Sequence, residues 1–426
     1  MFLTALRLLP LQALFRGGEA VLPLLLAAWL GRNAQTDLYY LLTAYFVFAA
    51  GLLTAAFQDS AVVPILIEVH TKDPRGFGAV AGSLLGHTLA VGLALALGLG
   101  GLAAVVVGCL SSLPLLSTQL IGLMAVLLVV TGVRAFYVGL LNARGVFHAH
   151  PVASGIGMGL SLAILFAQHR SLDVRMVPLA VLGGELVAIA ILALFCARTL
   201  DLRITPNLTR PEPVARFFRL VRLEAFGQIV TRINPVLDQL MAGMAGVVGG
   251  GTLLRYAGDV ASLPTSILQA TLLPVFLTRV AQEASAPKEF LATTRRTLAM
   301  VVVILCALSA LFAALRVPIC RLLFLHGAMD EAGVASMAAI LPFALLGVAP
   351  FGALLILARA HVAQQNSRIM PGMGVINATS NAILNLLFVR WLGLAGIALS
   401  TSVTYVIVAV VFWVRLRGVV AARGPA

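Results

Sequence analysis

The sequence predicts an all-α integral membrane protein of about twelve transmembrane helices, and three observations predict it. Of its 426 residues, 61% are hydrophobic and 11% charged, against roughly 25% charged in a soluble globular chain. The mean hydropathy is +1.03. Apolar runs of membrane-crossing length recur along the whole chain, separated by charged or Gly/Pro-rich breaks. A water-soluble core cannot absorb so much apolar surface. A bilayer solvates it, and each run of about 20 residues satisfies its own backbone as a helix.

Reading these runs in order places spans near 10–30, 38–58, 78–108, 117–140, 151–168 and 176–197. A second set follows near 220–245, 252–278, 293–315, 333–358, 369–389 and 393–414. The opening MFLTALRLLPLQALF has a weak basic region and no A-x-A-like site, so it reads as a retained first span. The longest polar stretch between spans, 201–218, divides the chain into a six-span N-terminal lobe, 1–200, and a six-span C-terminal lobe, 219–426.

Orientation follows from the excess of Lys and Arg on cytoplasmic loops. One set of alternate loops holds Arg32, Arg170, Arg175, Arg316, Arg321 and Arg390, while the other holds three times as many basic residues, among them Lys72, Arg75, Arg144, Arg198, Arg210, Arg216 and Arg219. Both termini and the 201–218 linker are then expected on the cytoplasmic side of a bacterial inner membrane. An even span count lets the second half repeat the first. Leu141-Asn142-Ala143-Arg144 followed by Pro151 is echoed by Leu357-Ala358-Arg359-Ala360 followed by Pro371.

The net charge of +13 is distributed between the apolar runs rather than gathered on one face with aromatics, so nucleic acid is not an expected partner. Cys109, Cys196, Cys306 and Cys320 are isolated, which suits neither a metal site nor a disulfide framework. No H-E-x-x-H, G-x-S-x-G or G-x-x-x-x-G-K-[ST] occurs, so the expectation is not an enzyme, and no cofactor is expected. His148 and His150 read as solvated, and Gly249-Gly250-Gly251 as a turn.

The informative residues are the charges inside the spans, which cost at least about 2.5–3.5 kcal/mol each and therefore face a cavity or a partner. Arg255 and Asp259 are four apart and share a helix face, as do Arg16 and Glu19 at three apart. Either pair can line a cavity or neutralise itself. Arg134 and Glu185 have no neighbour in sequence and fit an interhelical pair between the fourth and sixth spans, or a coupling site. Asp59 and Arg222 sit near span ends and can reach the interface. In the seventh span, Arg232, Asn234, Pro235 and Asp238 surround a proline that permits a kink, read as a hinge or gate or as an ordinary bend.

Several stretches then resemble, in order, the MurJ/MviN family of lipid II flippases within the multidrug/oligosaccharidyl-lipid/polysaccharide exporter superfamily. The first is Leu30-Gly31-Arg32-Asn33-Ala34-Gln35-Thr36-Asp37-Leu38-Tyr39-Tyr40, with Phe57-Gln58 and Val63-Pro64-Ile65-Leu66. The second half adds Leu254-Arg255-Tyr256-Ala257, Leu263-Pro264, Leu272-Leu273-Pro274, Arg321-Leu322-Leu323-Phe324 and Leu357-Ala358-Arg359-Ala360. Asn385-Leu386-Leu387-Phe388 and the run from Leu392 to Thr401 close the series.

The resemblance implies two pseudo-symmetric six-helix lobes around a central cavity that opens alternately to each side. It implies a polyprenyl-linked glycan precursor as substrate, with membrane lipids and envelope-assembly proteins as partners. Arg16 and the outer Asp37 match family positions, whereas other family arginines fall at Leu22, Ala50, Gly51 and the Ala257-Gly258-Asp259 stretch. The family's last two helices are not matched. Expected substrate-binding residues are therefore Arg16, Arg255, Asp259 and Arg232, and expected gating or coupling residues Asp37, Pro235, Asp238 and Glu185. Membrane potential or an ion gradient would drive the movement. A cation-coupled multidrug antiporter of the same superfamily and a non-transporting envelope scaffold remain the alternatives.

Overall fold

The computed structural model describes residues 17–53, 61–110, 113–200, 204–283, 286–364, 366 and 369–422. Among them every long element is a helix. The first half contains α1 (Gly17–Leu30), α2 (Ala34–Ala50), α3 (Val63–Lys72), α4 (Phe77–Leu110), α5 (Pro114–Ala143), α6 (Ala149–Ala167) and α7 (Met176–Thr199). The second contains α8 (Glu212–Arg232), α9 (Asn234–Met244), α10 (Gly250–Gln282), α11 (Pro287–Ala314), α12 (Arg316–Phe324), α13 (Glu331–Leu345), α14 (Val348–Ala363), α15 (Ile369–Leu392) and α16 (Leu394–Ala422).

Eight of these helical stretches are long and apolar enough to cross a membrane, with α13 and α14 together forming one of them. Their outer faces carry large apolar side chains such as Leu97, Leu115 and Trp391 at 70%, 72% and 78% exposure. In water such faces would aggregate; against hydrocarbon they are the solvated surface. The protein is an all-α integral membrane protein.

Within the described residues, each expected run corresponds to a helix or a broken helix. The 220–245 run is α8 and α9, interrupted at Ile233, with Pro235 in the first turn of α9. Proline fits there because a first-turn N–H has no helical acceptor. The 333–358 run is α13 and α14, broken after Pro342 at Leu346 and Gly347. The short helices α3 and α12, of 10 and 9 residues, were not expected; neither is long enough to register as a span.

The chain divides into two compact units, Met1–Gly31 with Leu38–Ile229, and Arg32–Asp37 with Val230–Ala426. The core of the first unit gathers Leu66, Phe77, Leu84, Phe136, Leu140, Leu192 and Val214. The segment expected as a linker is folded onto this unit, and α8 begins at Glu212, within the range read as linker. Asn207 donates its backbone N–H to Gly82 O at 3.1 Å, Asn207 Nδ2 donates to Ala79 O at 3.3 Å, and Ser83 Oγ donates to Thr209 O at 2.5 Å. A Cβ at Gly82 or Gly86 would collide with the backbone of Thr205 or Asn207, so glycine on α4 is what lets this strap lie flat.

In the second unit Leu253, Tyr256, Met337, Leu341, Ile356, Ile397 and Leu416 are fully buried. Tyr256 stacks near Phe324 of α12 with ring centroids 5.1 Å apart. Gly393, at φ 56°, makes the tight reversal between α15 and α16 that sets these two helices side by side.

Candidate functional site

The most developed polar site lies within the second unit, where α9 meets α15 and α16. The bend at Ile233 starts α9, which turns Asp238 inward. Asn385 Nδ2 donates to Asp238 Oδ1 at 2.8 Å and Thr401 Oγ1 to Oδ2 at 2.9 Å. Asn381 also hydrogen-bonds this carboxylate. Asn381 Nδ2 donates to Thr401 Oγ1 at 3.0 Å, Asn385 Nδ2 also reaches Asn381 Oδ1 at 3.0 Å, and Ser400 Oγ donates to Asn385 Oδ1. Asn381, Asn385 and Ser400 are wholly buried.

One carboxylate is thus surrounded by neutral amides and hydroxyls, and no arginine or lysine bonds it among the described residues. Amide and hydroxyl oxygens beside a carboxylate are the ligand set of a hard cation. The sequence singled out Asp238 but not its partners. The signal was available, since Asn377, Asn381 and Asn385 recur at intervals of four on an apolar helix and so share one face.

Arg255 and Asp259 meet as their spacing predicts, Nε to Oδ1 at 3.0 Å, on a partly exposed face of α10. Ala257 between them is fully buried, and Gly258 is exposed. Arg232 ends α8 with its side chain exposed. Arg16 and Asp59 lie outside the described residues.

Just before the Arg255 and Asp259 pair, Asp37 closes the N-terminus of α10. It accepts from Gly249 N at 2.6 Å, from Thr252 N at 2.8 Å and from Thr252 Oγ1 at 2.8 Å. These N–H groups have no acceptor within the helix, and a carboxylate also complements the positive end of its dipole. Gly249 reaches the required φ of 80° because it lacks a side chain. Nearby, Arg32 Nε pairs with Asp330 at 3.0 Å, and Asp330 accepts from Gly333 N at 2.9 Å as the cap of α13. The Arg32 guanidinium beside it holds the Asp330 carboxyl below the ordinary carboxylate range. In sequence Arg32 counted as an outer basic residue and as part of the first resembling stretch, with no partner assigned. The segment 32–37 belongs to the second unit although the chain on both sides belongs to the first.

Within the first unit Arg134 Nε of α5 pairs with Glu185 Oε2 of α7 at 2.5 Å, with both side chains about four-fifths buried. Arg134 Nη1 also donates to Ser154 Oγ at 3.4 Å, and Ser154 Oγ lies 3.0 Å from His150 Nδ1. His150 is therefore half-buried and engaged rather than solvated, while His148 is exposed with its ring 5.4 Å from that of Phe195. Glu19 on α1 is close enough for its charge to act on Glu185. Outside the spans, Glu68 of α3 accepts from Arg216 at 2.5 Å and from Lys72 at 2.7 Å, which pulls its pKa down to about 2.

An apolar groove of 520 Å³ lies among α11, α13, α14 and α16, lined by Val302, Leu345, Leu346, Val406 and Val410. It holds no charged group and is separate from the polar site.

The family model of the lipid II flippase MurJ matches residues 26–422. The chain belongs to the MurJ family. A solved structure of the lipid II flippase MurJ in an inward closed conformation aligns with a TM-score of 0.80 at 17% identity, covering 98% of this chain and 88% of that one. An inward-facing multidrug resistance MATE family transporter of the MOP superfamily aligns at 0.77 and 14% identity, covering 97% and 96%. A MOP superfamily transporter from Pyrococcus furiosus aligns at 0.67 and 13% identity, covering 98% and 94%. At these identities the likeness is one of fold. No curated protein matches the chain in sequence.

Proposed function

We propose that this MurJ-family protein flips a polyprenyl-pyrophosphate-linked saccharide precursor, lipid II or a related cell-envelope glycan, across the bacterial inner membrane by alternating access. The family match over residues 26–422 carries this reading. Both termini and the α4-docked strap face the cytoplasm, in keeping with the basic bias of those loops. Arg255, Arg232 and Arg16 bind the pyrophosphate, since a guanidinium fork donates paired bonds to phosphate oxygens. Asp259 holds Arg255 until substrate takes its place.

Asp238 is the coupling residue: its cluster offers a cation a carboxylate and neutral oxygens, and among the described residues no fixed positive charge bonds it. Pro235 is the hinge beside it. Asp37 is the gate residue, because its three bonds to the start of α10 tie segment 32–37 to the second unit. Glu185 is engaged by Arg134, and that geometry supports a fixed tie between α5 and α7. No ATP motif occurs in the chain, and the membrane potential supplies about 2.3 kcal/mol per charge per 100 mV. Envelope-assembly enzymes would supply the precursor on one side and consume it on the other.

The test is reconstitution in proteoliposomes with labelled lipid-linked precursor and an imposed gradient. Exposure of the label on the opposite leaflet is the expected result, and none across several glycans overturns the proposal. The Asp238 cluster also suits a cation-coupled multidrug antiporter. Gradient-driven drug efflux from the same vesicles, lost in Asp259→Asn or Asp238→Asn, would favour that second reading.

A further inference from the structure

The Asp238 cluster is not the end of the polar track in the second unit. One helical turn away lie three polar side chains that the cluster does not use. Asn234 precedes Asp238 by four residues on α9, Asn377 precedes Asn381 by four on α15, and Thr404 follows Thr401 by three on α16. Among the described residues, Asn234 Nδ2 and Oδ1, Asn377 Oδ1 and Thr404 Oγ1 are buried atoms without a hydrogen-bond partner. Asn234 is 6% exposed and Thr404 0%.

Direction makes these three a group. Successive spans reverse, so α9 and α15 run the same way and α16 runs against them. Stepping back on α9 and α15, and forward on α16, therefore moves along the unit in one direction from Asp238. That direction leads to the bend at Ile233, the start of α15 and the end of α16. A buried polar group without a partner is costly, so several at one level in a membrane protein need an occupant.

We infer that Asn234, Asn377 and Thr404 form a second, uncharged station where a monovalent cation, with its water, pauses between Asp238 and the end of the unit where α15 begins. The inference rests on the proposed coupling role of Asp238 and extends it. Oxygens from two amides and a hydroxyl replace part of a hydration shell. With no carboxylate among them, the ion is held weakly enough to move on, as conduction between adjacent sites requires. Asp238 binds; the station sets how fast the ion arrives and leaves.

Sodium-22 exchange and equilibrium binding by the reconstituted full chain test this, with labelled potassium and lithium as alternative probes. Thr404→Val and Asn377→Leu are each expected to slow exchange by at least about tenfold, with the equilibrium Kd within about twofold and Thr404→Ser restoring the rate. Wild-type exchange rates in both Thr404→Val and Asn377→Leu overturn the station. A Thr404→Val protein that binds no cation while Thr404→Ser binds normally makes Thr404 part of the Asp238 site and also overturns it. Undiminished binding by Asp238→Asn, or no binding of any of the three ions by the wild type, overturns the coupling reading itself.

Discussion

Glu185 in the first unit and Asp238 in the second are both carboxylates set in apolar helices, yet their surroundings differ in kind. Glu185 faces Arg134 at 2.5 Å, a partner that never loses its charge. Asp238 faces Asn381, Asn385 and Thr401, whose dipoles soften the charge without cancelling it. A carboxylate that meets a fixed cation is complete and ties two helices together. One that meets only dipoles retains a net charge that a mobile cation can satisfy, so composition alone does not distinguish a brace from a binding site.

Removing one partner of the brace should have the largest effect on stability. Arg134→Leu leaves Glu185 buried and unpaired, at an expected cost of about 3–5 kcal/mol, and the double variant Arg134→Leu/Glu185→Leu should recover most of it. Thermal unfolding in detergent measures both. A well-folded double variant that no longer flips precursor would move Glu185 into the mechanism and erase the contrast with Asp238.

At the second carboxylate the expectation is reversed, with function lost and fold kept. Asp238→Asn preserves shape and removes the charge, so gradient-driven flipping should fall about 10–100-fold while unfolding temperature changes little. A large destabilisation with normal transport per folded molecule would make the Asp238 cluster a second brace.

Asp37 offers an intermediate case, a carboxylate closing a helix end. Asp37→Asn should cost about 1–2 kcal/mol of stability through weaker bonds to Gly249 and Thr252. It should also make Cys labels introduced at residues 33 and 249 more reactive if these bonds are a gate. Unchanged labelling would confine Asp37 to capping.

The smallest effect is expected at the surface, where Glu68 is held by Arg216 and Lys72. Its folded pKa of about 2 lies below the ordinary value of 4.5, so its contribution is full above pH 4.5 and is lost as pH falls toward 2. Hydrogen exchange in the 204–214 strap should therefore rise over that acid window in the wild type and be less pH-dependent in Glu68→Gln. Equal pH dependence in both proteins would detach the strap from this ion pair.

Much of the fold was legible because hydropathy is a local signal: a run of apolar residues needs a membrane whatever it packs against. The helix breaks at Ile233 and Gly347 were less legible, since proline and glycine permit a bend without requiring one. The short α3 and α12 were invisible to a search for spans. At the candidate site, Arg255 and Asp259 were paired from their spacing alone. Asp238 was singled out as a charge in a span, but Asn381, Asn385 and Thr401 were not, because neutral polar residues carry little penalty in hydropathy. Asp330, 298 residues from Arg32, could not be joined to it by any local rule.

By itself, then, the sequence determined that this chain lives in a membrane, where its helices run, and which ionisable residues are costly enough to need a reason. Helix period and hydropathy act over a few residues, and both are written in the chain. Tertiary structure alone decided that Glu185 meets an arginine while Asp238 meets amides and hydroxyls, and that the strap after α7 lies against Gly82 and Gly86. Those outcomes depend on which helix faces abut, and two carboxylates that look alike in sequence acquire different chemistry only when their neighbours arrive.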